Sequence, residues 1–247
     1  MDPPSMVGRS FTAIETVEPF PDLPRHRALI LDLDGLLLDT EPIYWAAWRA
    51  GARELGCSEP PDELLSRMVG KSGEVVVQIL KQHYGPDFHV QRFFEAGRKK
   101  WLEILERRGV RPKPGYRELM AAVRERALPF AVATNSQRRF ALKSLEAAGI
   151  LEEIPLLVSR DQVGRGKPAP DIYLKAAEAL GLEPGLCLAV EDSEPGLTAA
   201  YRAGCSPVLI PDCGALSSQA DRMAVARFDS LAELAEALVR WPCTGTT

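Results

Sequence analysis

Four polar runs carry the groups in this chain that could do chemistry. Asp32-Leu33-Asp34-Gly35 follows the apolar run Ala28–Leu31, Thr134-Asn135-Ser136 follows Phe130–Ala133, and Glu191-Asp192-Ser193 follows Leu186–Val190. The fourth, Gly166-Lys167-Pro168, precedes a helical stretch that starts near Asp171. Carboxylates, a hydroxyl and an ammonium can bind an oxygen-seeking cation, attack an electrophile or move a proton. Taken singly, each run has an ordinary explanation. Asp at a strand end caps a turn, Thr-Asn-Ser caps a helix, Lys167 reads as a loop lysine, and Glu191-Asp192 suits a helix dipole. On one shared edge, however, the carboxylates repel unless a cation holds them. An all-oxygen set points to Mg²⁺, whose shell is completed by waters and a substrate phosphate.

The runs meet only if their apolar segments are strands of one sheet. Ala28–Leu31, Phe130–Ala133, Leu156–Val158, Leu186–Val190 and Pro207–Ile210 are short and nearly continuous, as strands buried on both faces should be. Helical periodicity falls between or after them, near 116–127, 137–149, 171–181, 195–203 and 229–240, with Gly149, Gly181 and Gly204 at three helix ends. This alternation predicts an α/β fold with a doubly wound parallel sheet, which binds ligands outside the carboxyl ends of its strands. Residues 42–112 break the pattern, with helical segments near 43–56, 61–69, 72–84 and 90–108 and no strand. They are expected to form an inserted α-helical cap, hinged at Pro42 and at Pro112-Lys113-Pro114-Gly115. The core domain would then be 27–41 plus 113–240, with a 1–26 extension and a 241–247 tail.

Composition narrows the function classes. Thirty Lys+Arg against thirty-four Asp+Glu leave a net charge of −4, which excludes a basic nucleic-acid footprint. No apolar run reaches the ~18 residues of a membrane span, and the acidic, proline-rich start lacks the basic and apolar parts of a secretory signal. Five scattered cysteines with no C-x-x-C pair fit reduced thiols and a cytoplasmic setting, with Cys187 and Cys205 as small core residues.

The four runs, extended to Asp32-Leu-Asp34-Gly35-Leu-Leu-Leu-Asp39-Thr40-Glu41 and Gly166-Lys167-Pro-Ala-Pro-Asp171, resemble the four motifs of the haloacid dehalogenase-like (HAD) hydrolase superfamily. The order and spacing are the family's, and the resemblance covers roughly 27–240. The helical insert is similar to the cap of its β-phosphoglucomutase-like and small-phosphomonoester phosphatase subgroup. The resemblance implies a Rossmann-like core and the following roles. Asp32 is the nucleophile that forms an aspartyl-phosphate, and Asp34 is the general acid and then base. Thr134 binds the phosphoryl oxygens, and Lys167 neutralises their charge. Mg²⁺ is held by Asp32, the Asp34 carbonyl and Asp192, with Glu191 outside the first shell or as an alternate ligand. A departing halide needs no acid and family dehalogenases lack the second aspartate, so Asp34 favours phosphoryl transfer.

The expected substrate is a small phosphorylated metabolite, a sugar or polyol phosphate foremost, acted on by a monomer or weak dimer. The competing reading is a phosphomutase acting on a hexose phosphate. Tyr44 stands where hexose-phosphate mutases of the subgroup carry a histidine, which lowers that reading. Lys71, Glu41 and Asn135 are the candidate substrate contacts. Asp171 is expected to N-cap its helix, His26, His83 and His89 to lie on the surface, and Tyr44, Trp45, Trp48 and Trp101 to form cap core.

Overall fold

β1 (Ala28–Leu31) is buried over its whole length, and its alternating side chains enter two different layers. The structure, a computed structural model, describes residues 26–68, 73–212 and 222–240. β2 (Phe130–Thr134), β3 (Leu157–Ser159), β4 (Cys187–Glu191), β5 (Ser206–Leu209) and β6 (Ala226–Arg227) join β1 in one parallel sheet of order β3-β2-β1-β4-β5-β6. β1 pairs with β2 (Leu29 opposite Phe130) and with β4 (Leu31 opposite Val190). The switch in strand order beside β1 opens the crevice in which such sheets bind ligands.

The two faces are packed differently. Leu29, Leu31, Val132, Leu188 and Val190 project large side chains into a layer shared with α5 (Tyr116–Glu125), α6 (Arg138–Ala147) and α9 (Leu231–Arg240). The opposite face is built of Ala28, Ala131, Ala133 and Ala189 around Ile30, against Ala176 and Ala177 of α7 (Asp171–Leu180) and Ala199 and Ala200 of α8 (Glu194–Ala203). Small residues on both sides let α7 and α8 approach closely. That closeness brings Tyr173 and the start of α8 to the β4 carboxyl end.

Four helices separate β1 from α5: α1 (Glu41–Glu54), α2 (Asp62–Met68), α3 (Gly73–Tyr84) and α4 (Val90–Arg108). They enclose their own core of Leu64, Met68, Val76, Ile79, Leu80 and Phe93. α1 and α4 cross at paired glycines: a Cβ on Gly51 would stand 2.9 Å from the Gly97 amide nitrogen. The outgoing and returning chains bond to each other, Asp39 N–H to Arg111 O at 2.9 Å and Lys113 N–H to Leu37 O at 2.9 Å. Gly115, at φ +87°, then starts α5 where a Cβ would collide with the Ala232 backbone. Gly115→Ala is expected to cost about 3 kcal/mol or more in urea unfolding; a loss under about 0.5 kcal/mol would contradict this packing.

Three details depart from the sequence reading. β6 is an added strand of two residues, too short for a periodic signal. His26 is buried rather than exposed, with Nε2 2.7 Å from Ser206 Oγ, because it enters the sheet immediately before β1. Asp171 is the first residue of α7, Pro170 holds the cap position, and the Asp171 carboxylate pairs with Arg165 at 3.2 Å. Cys187 and Cys205 are buried thiols, as expected. Among the described residues, no helix is long and apolar enough to cross a membrane. The 1–25 part of the extension and the 241–247 tail lie outside the described residues.

Candidate active site

The carboxyl ends of β1, β2 and β4 gather the four polar runs into one cleft. Asp32 leaves β1 with its N–H bonded to Val190 O at 3.1 Å. Three residues on, the chain turns sharply at Gly35 (φ +91°), where any Cβ would collide with the Asp192 carboxylate. The turn sends Asp34 back towards β2. Its Oδ2 accepts hydrogen bonds from Thr134 Oγ1 at 3.1 Å and Ser136 Oγ at 2.7 Å. Thr134 Oγ1 in turn accepts the Ser136 N–H at 2.9 Å.

Lys167 is buried, and its ammonium has three acceptors: Asp32 Oδ1, Glu191 Oε1 at 2.6 Å and Ala133 O at 2.8 Å. Its loop is held by Asn135, whose Oδ1 accepts the Lys167 N–H at 2.8 Å and whose Nδ2 donates to Lys167 O at 3.2 Å. The loop passes so close that a Cβ on Gly166 would collide with Asn135 Oδ1. Glu191, fully buried at the end of β4, also accepts the Tyr173 hydroxyl on Oε1 and the Ser193 hydroxyl on Oε2 at 3.2 Å. Ser193 N-caps α8, and the first turn of that helix lies directly over the Glu191 carboxylate. A Cβ at Gly196 would overlap the carboxylate. Gly196→Ala is therefore expected to lower the melting temperature by about 5 °C or more; an unchanged melting curve would show that α8 does not seat there.

The electrostatics follow from burial. Burial pushes Asp32 up to about 7; Lys167 opposes this, while Glu191 and Asp34 add to it. Burial also holds Asp192 well above the usual carboxylate range, reinforced by Asp32 and Glu191. Desolvation would lower Lys167, but Asp32 and Glu191 outweigh it and keep the ammonium protonated far above neutrality. One buried cation thus faces Asp32, Glu191 and Asp192, whose oxygens lie within 4.8 Å of one another. Such an excess of like charge is stable only when protonated or when a further cation is bound. The donors are all oxygen, which suits a hard divalent ion. Glu191 already serves three protein donors, so Asp32 and Asp192 have the carboxylate oxygens left to offer.

A cavity of about 420 Å³ opens over these groups. Asp32, Asp34, Thr134, Lys167 and Asp192 form its floor, and Glu41 and Asn135 stand in its walls. Lys71 lies outside the described residues. Tyr44, Trp45, Trp48 and Met68 supply the opposite wall. Tyr44 and Trp48 pack against the core as well as lining the cavity, Trp45 lines the cavity without joining a core cluster, and Trp101 is buried core, with its ring centroid 5.8 Å from that of Tyr44. Tyr44 is pushed upward by burial and by the neighbouring Asp34, so its phenol stays neutral. Ser136 and Tyr173 received no role from the sequence. Ser136 stands two residues from Thr134 on the same turn, which is a usable signal. Tyr173 reads as an apolar position of α7, spaced with Ala176 and Ala177, and carries none.

Comparison with known proteins agrees with this geometry. The family model described as haloacid dehalogenase-like hydrolase matches residues 29–210. A phosphorylated carbohydrates phosphatase from Thermotoga maritima is 32% identical over 182 residues, 72% of this chain and 81% of that protein. Hexitol phosphatase A of Escherichia coli is 31% identical over 186 residues, 75% of this chain and 83% of that protein. The crystal structure of a putative β-phosphoglucomutase from Thermotoga maritima superposes with a TM-score of 0.71 at 28% identity, covering 87% of this chain and 99% of that one. The chain belongs to the haloacid dehalogenase-like hydrolases, and its chemistry is that of a phosphoric monoester hydrolase.

Proposed function

We propose that this protein is a Mg²⁺-dependent phosphatase of small phosphomonoesters, sugar or polyol phosphates foremost, working through an aspartyl-phosphate on Asp32. The observation that carries the reading is the pairing of two unlike aspartates over one cavity. Asp32 is buried against an ammonium, and Asp34 is held by two hydroxyls. The names of the phosphorylated carbohydrates phosphatase and the hexitol phosphatase support the substrate class.

Asp32 attacks phosphorus in line with the ester bond, forming an Asp32 O–P bond as the P–O bond to the alcohol breaks. Asp34 gives its proton to the departing alkoxide. It then takes a proton from a water that attacks the phosphorus, which releases inorganic phosphate and restores the Asp32 carboxylate. Thr134 and Ser136 orient the Asp34 carboxyl through both steps. Lys167 keeps Asp32 aimed and offsets charge on the transferring phosphoryl group. The Asp32 and Asp192 carboxylates and the Asp34 carbonyl would hold Mg²⁺, which supplies positive charge against the incoming dianion. The segment 42–112 acts as a cap that excludes water when substrate is bound.

The test is phosphate release from a panel of phosphomonoesters with Mg²⁺ and with a chelator. We expect release only with Mg²⁺. The similarity to a putative β-phosphoglucomutase keeps one competitor, a phosphomutase. Isomer interconversion that requires a bisphosphate, in place of phosphate release, would establish that competitor.

A further inference from the structure

The substrate cavity has one wall that the phosphoryl chemistry does not use. Tyr44 and Trp48, one turn apart on α1, have ring centroids 5.9 Å apart and planes inclined at 42°. The wall is braced from behind. Tyr44 stacks on Trp101 at 5.8 Å and 29°, and Trp101 packs edge-on against Phe140 of α6 at 5.5 Å. Trp48 rests on α4 where residue 97 is glycine, since a Cβ there would stand 3.0 Å from Trp48 Cδ1. The same two rings also border a second cavity of about 280 Å³, beside the first, into which Arg98 and Gln137 face.

Four polar residues of this cavity are already committed, whereas Thr40 and Trp45, which also line it, leave Oγ1 and Nε1 buried without a hydrogen-bond partner among the described residues. The Asn135 amide serves the Lys167 backbone, the Thr134 and Ser136 hydroxyls serve Asp34, and the Lys167 ammonium has three acceptors. An open-chain polyol would bring several hydroxyls against aromatic carbon, lose their water and recover few hydrogen bonds. It would also lose the freedom of its rotatable bonds. A ring offers an apolar face to Tyr44 and Trp48, keeps its hydroxyls at the edge and is already rigid.

Building on the phosphatase reading, we propose that the preferred leaving group is an uncharged ring, a pyranose, a furanose or a nucleoside. It lies against Tyr44 and Trp48 and extends towards Arg98 and Gln137. Trp48 is the specificity-determining residue.

The experiment compares kcat/KM for glucose 6-phosphate and glucitol 6-phosphate, a pair that differs in ring closure, and adds a nucleoside 5′-monophosphate as a larger ring-bearing ester. All are run with Mg²⁺ on the full chain beside Asp32→Asn. We expect at least one ring-bearing ester to exceed glucitol 6-phosphate by about tenfold or more. Trp48→Leu, which keeps an apolar contact with Gly97 but has no ring, should bring that ratio to about two or less, chiefly by raising KM for the ring-bearing ester, and Trp48→Phe should restore part of it. Arg98→Gln, on the exposed side of α4, provides a variant that leaves the fold undisturbed and should weaken the longest ester most. Equal or better turnover of glucitol 6-phosphate would overturn the inference while leaving the phosphatase reading standing. A ratio unchanged in Trp48→Leu would do the same. Absence of Asp32-dependent release from every ester would remove the phosphatase reading itself, and this inference with it.

Discussion

Asp32→Asn is expected to lower phosphate release by about four orders of magnitude or more, while the metal-free protein becomes more stable at pH 8. Both effects come from the same carboxylate. In the proposed mechanism, removing it deletes the atom that attacks phosphorus and one of the anions that would hold Mg²⁺. Yet the ionised group is also a burden on the fold. Its folded pKa is pushed up to about 7 from 3.8 by burial, with Lys167 only partly compensating. At pH 8 the folded state therefore bears an ionisation cost on the order of a few kcal/mol that a neutral amide avoids. The amide oxygen can still accept from Lys167, whose bonds to Ala133 O and Glu191 persist. Phosphate release and melting in a chelator, measured on one preparation, test both halves. Release near the wild-type rate would refute Asp32 as nucleophile. A lower melting temperature at pH 8 would refute the electrostatic account.

The sheet and the positions of its polar ends were legible because parallel strands are buried on both faces and read as unbroken apolar runs. Thr134 and Glu191 prove to be the last residues of β2 and β4, so the polar runs begin inside the strands. What the sequence could not give is which polar atoms pair. The family resemblance placed Thr134 near phosphate, but not its hydroxyl on Asp34 alongside that of Ser136. Nor could it distinguish Asn135 as a substrate contact from Asn135 as the clasp of the Lys167 loop. Such pairings depend on the close approach of segments about thirty to a hundred residues apart, which leaves no local pattern. The aromatics of α1 show the same limit from the apolar side. Helical spacing marks Tyr44, Trp45 and Trp48 as one face, and only the packing of α1 over the sheet edge turns that face towards the cavity. Tyr173 is the clearest omission: an apolar-looking position whose hydroxyl reaches a buried carboxylate only because alanines draw α7 against the sheet.

The stability of the metal-free protein should fall as pH rises from about 4 to 8, and the stabilisation given by Mg²⁺ should grow over the same range. Asp32 is raised from 3.8 to about 7, and Asp192 is raised well above the usual value. In this window the folded state binds more protons than the unfolded one, so each step up in pH favours unfolding. The stability these groups contribute is complete below about 4 and is lost as pH passes their folded values. Lys167 has the opposite charge but is raised too, so its contribution stays constant here and is lost only above the ordinary lysine range. The carboxylates Glu54, Asp161 and Asp171 are lowered, and their contribution disappears below about 4 rather than inside the window. The buried thiols Cys187 and Cys205, pushed up to about 11 and about 12, titrate above it. Mg²⁺ binds the ionised carboxylates, so it competes with protons at pH 5 and meets little competition at pH 8. A shift in melting temperature of several degrees with millimolar Mg²⁺ at pH 8, shrinking towards zero at pH 5, is the expected result. Melting curves across pH 4–8 with chelator and with Mg²⁺ decide it. If the metal-free protein grew steadily more stable through that range, or Mg²⁺ stabilised it equally at both ends, Asp32 and Asp192 would not be the buried, cation-seeking pair on which the proposed chemistry depends.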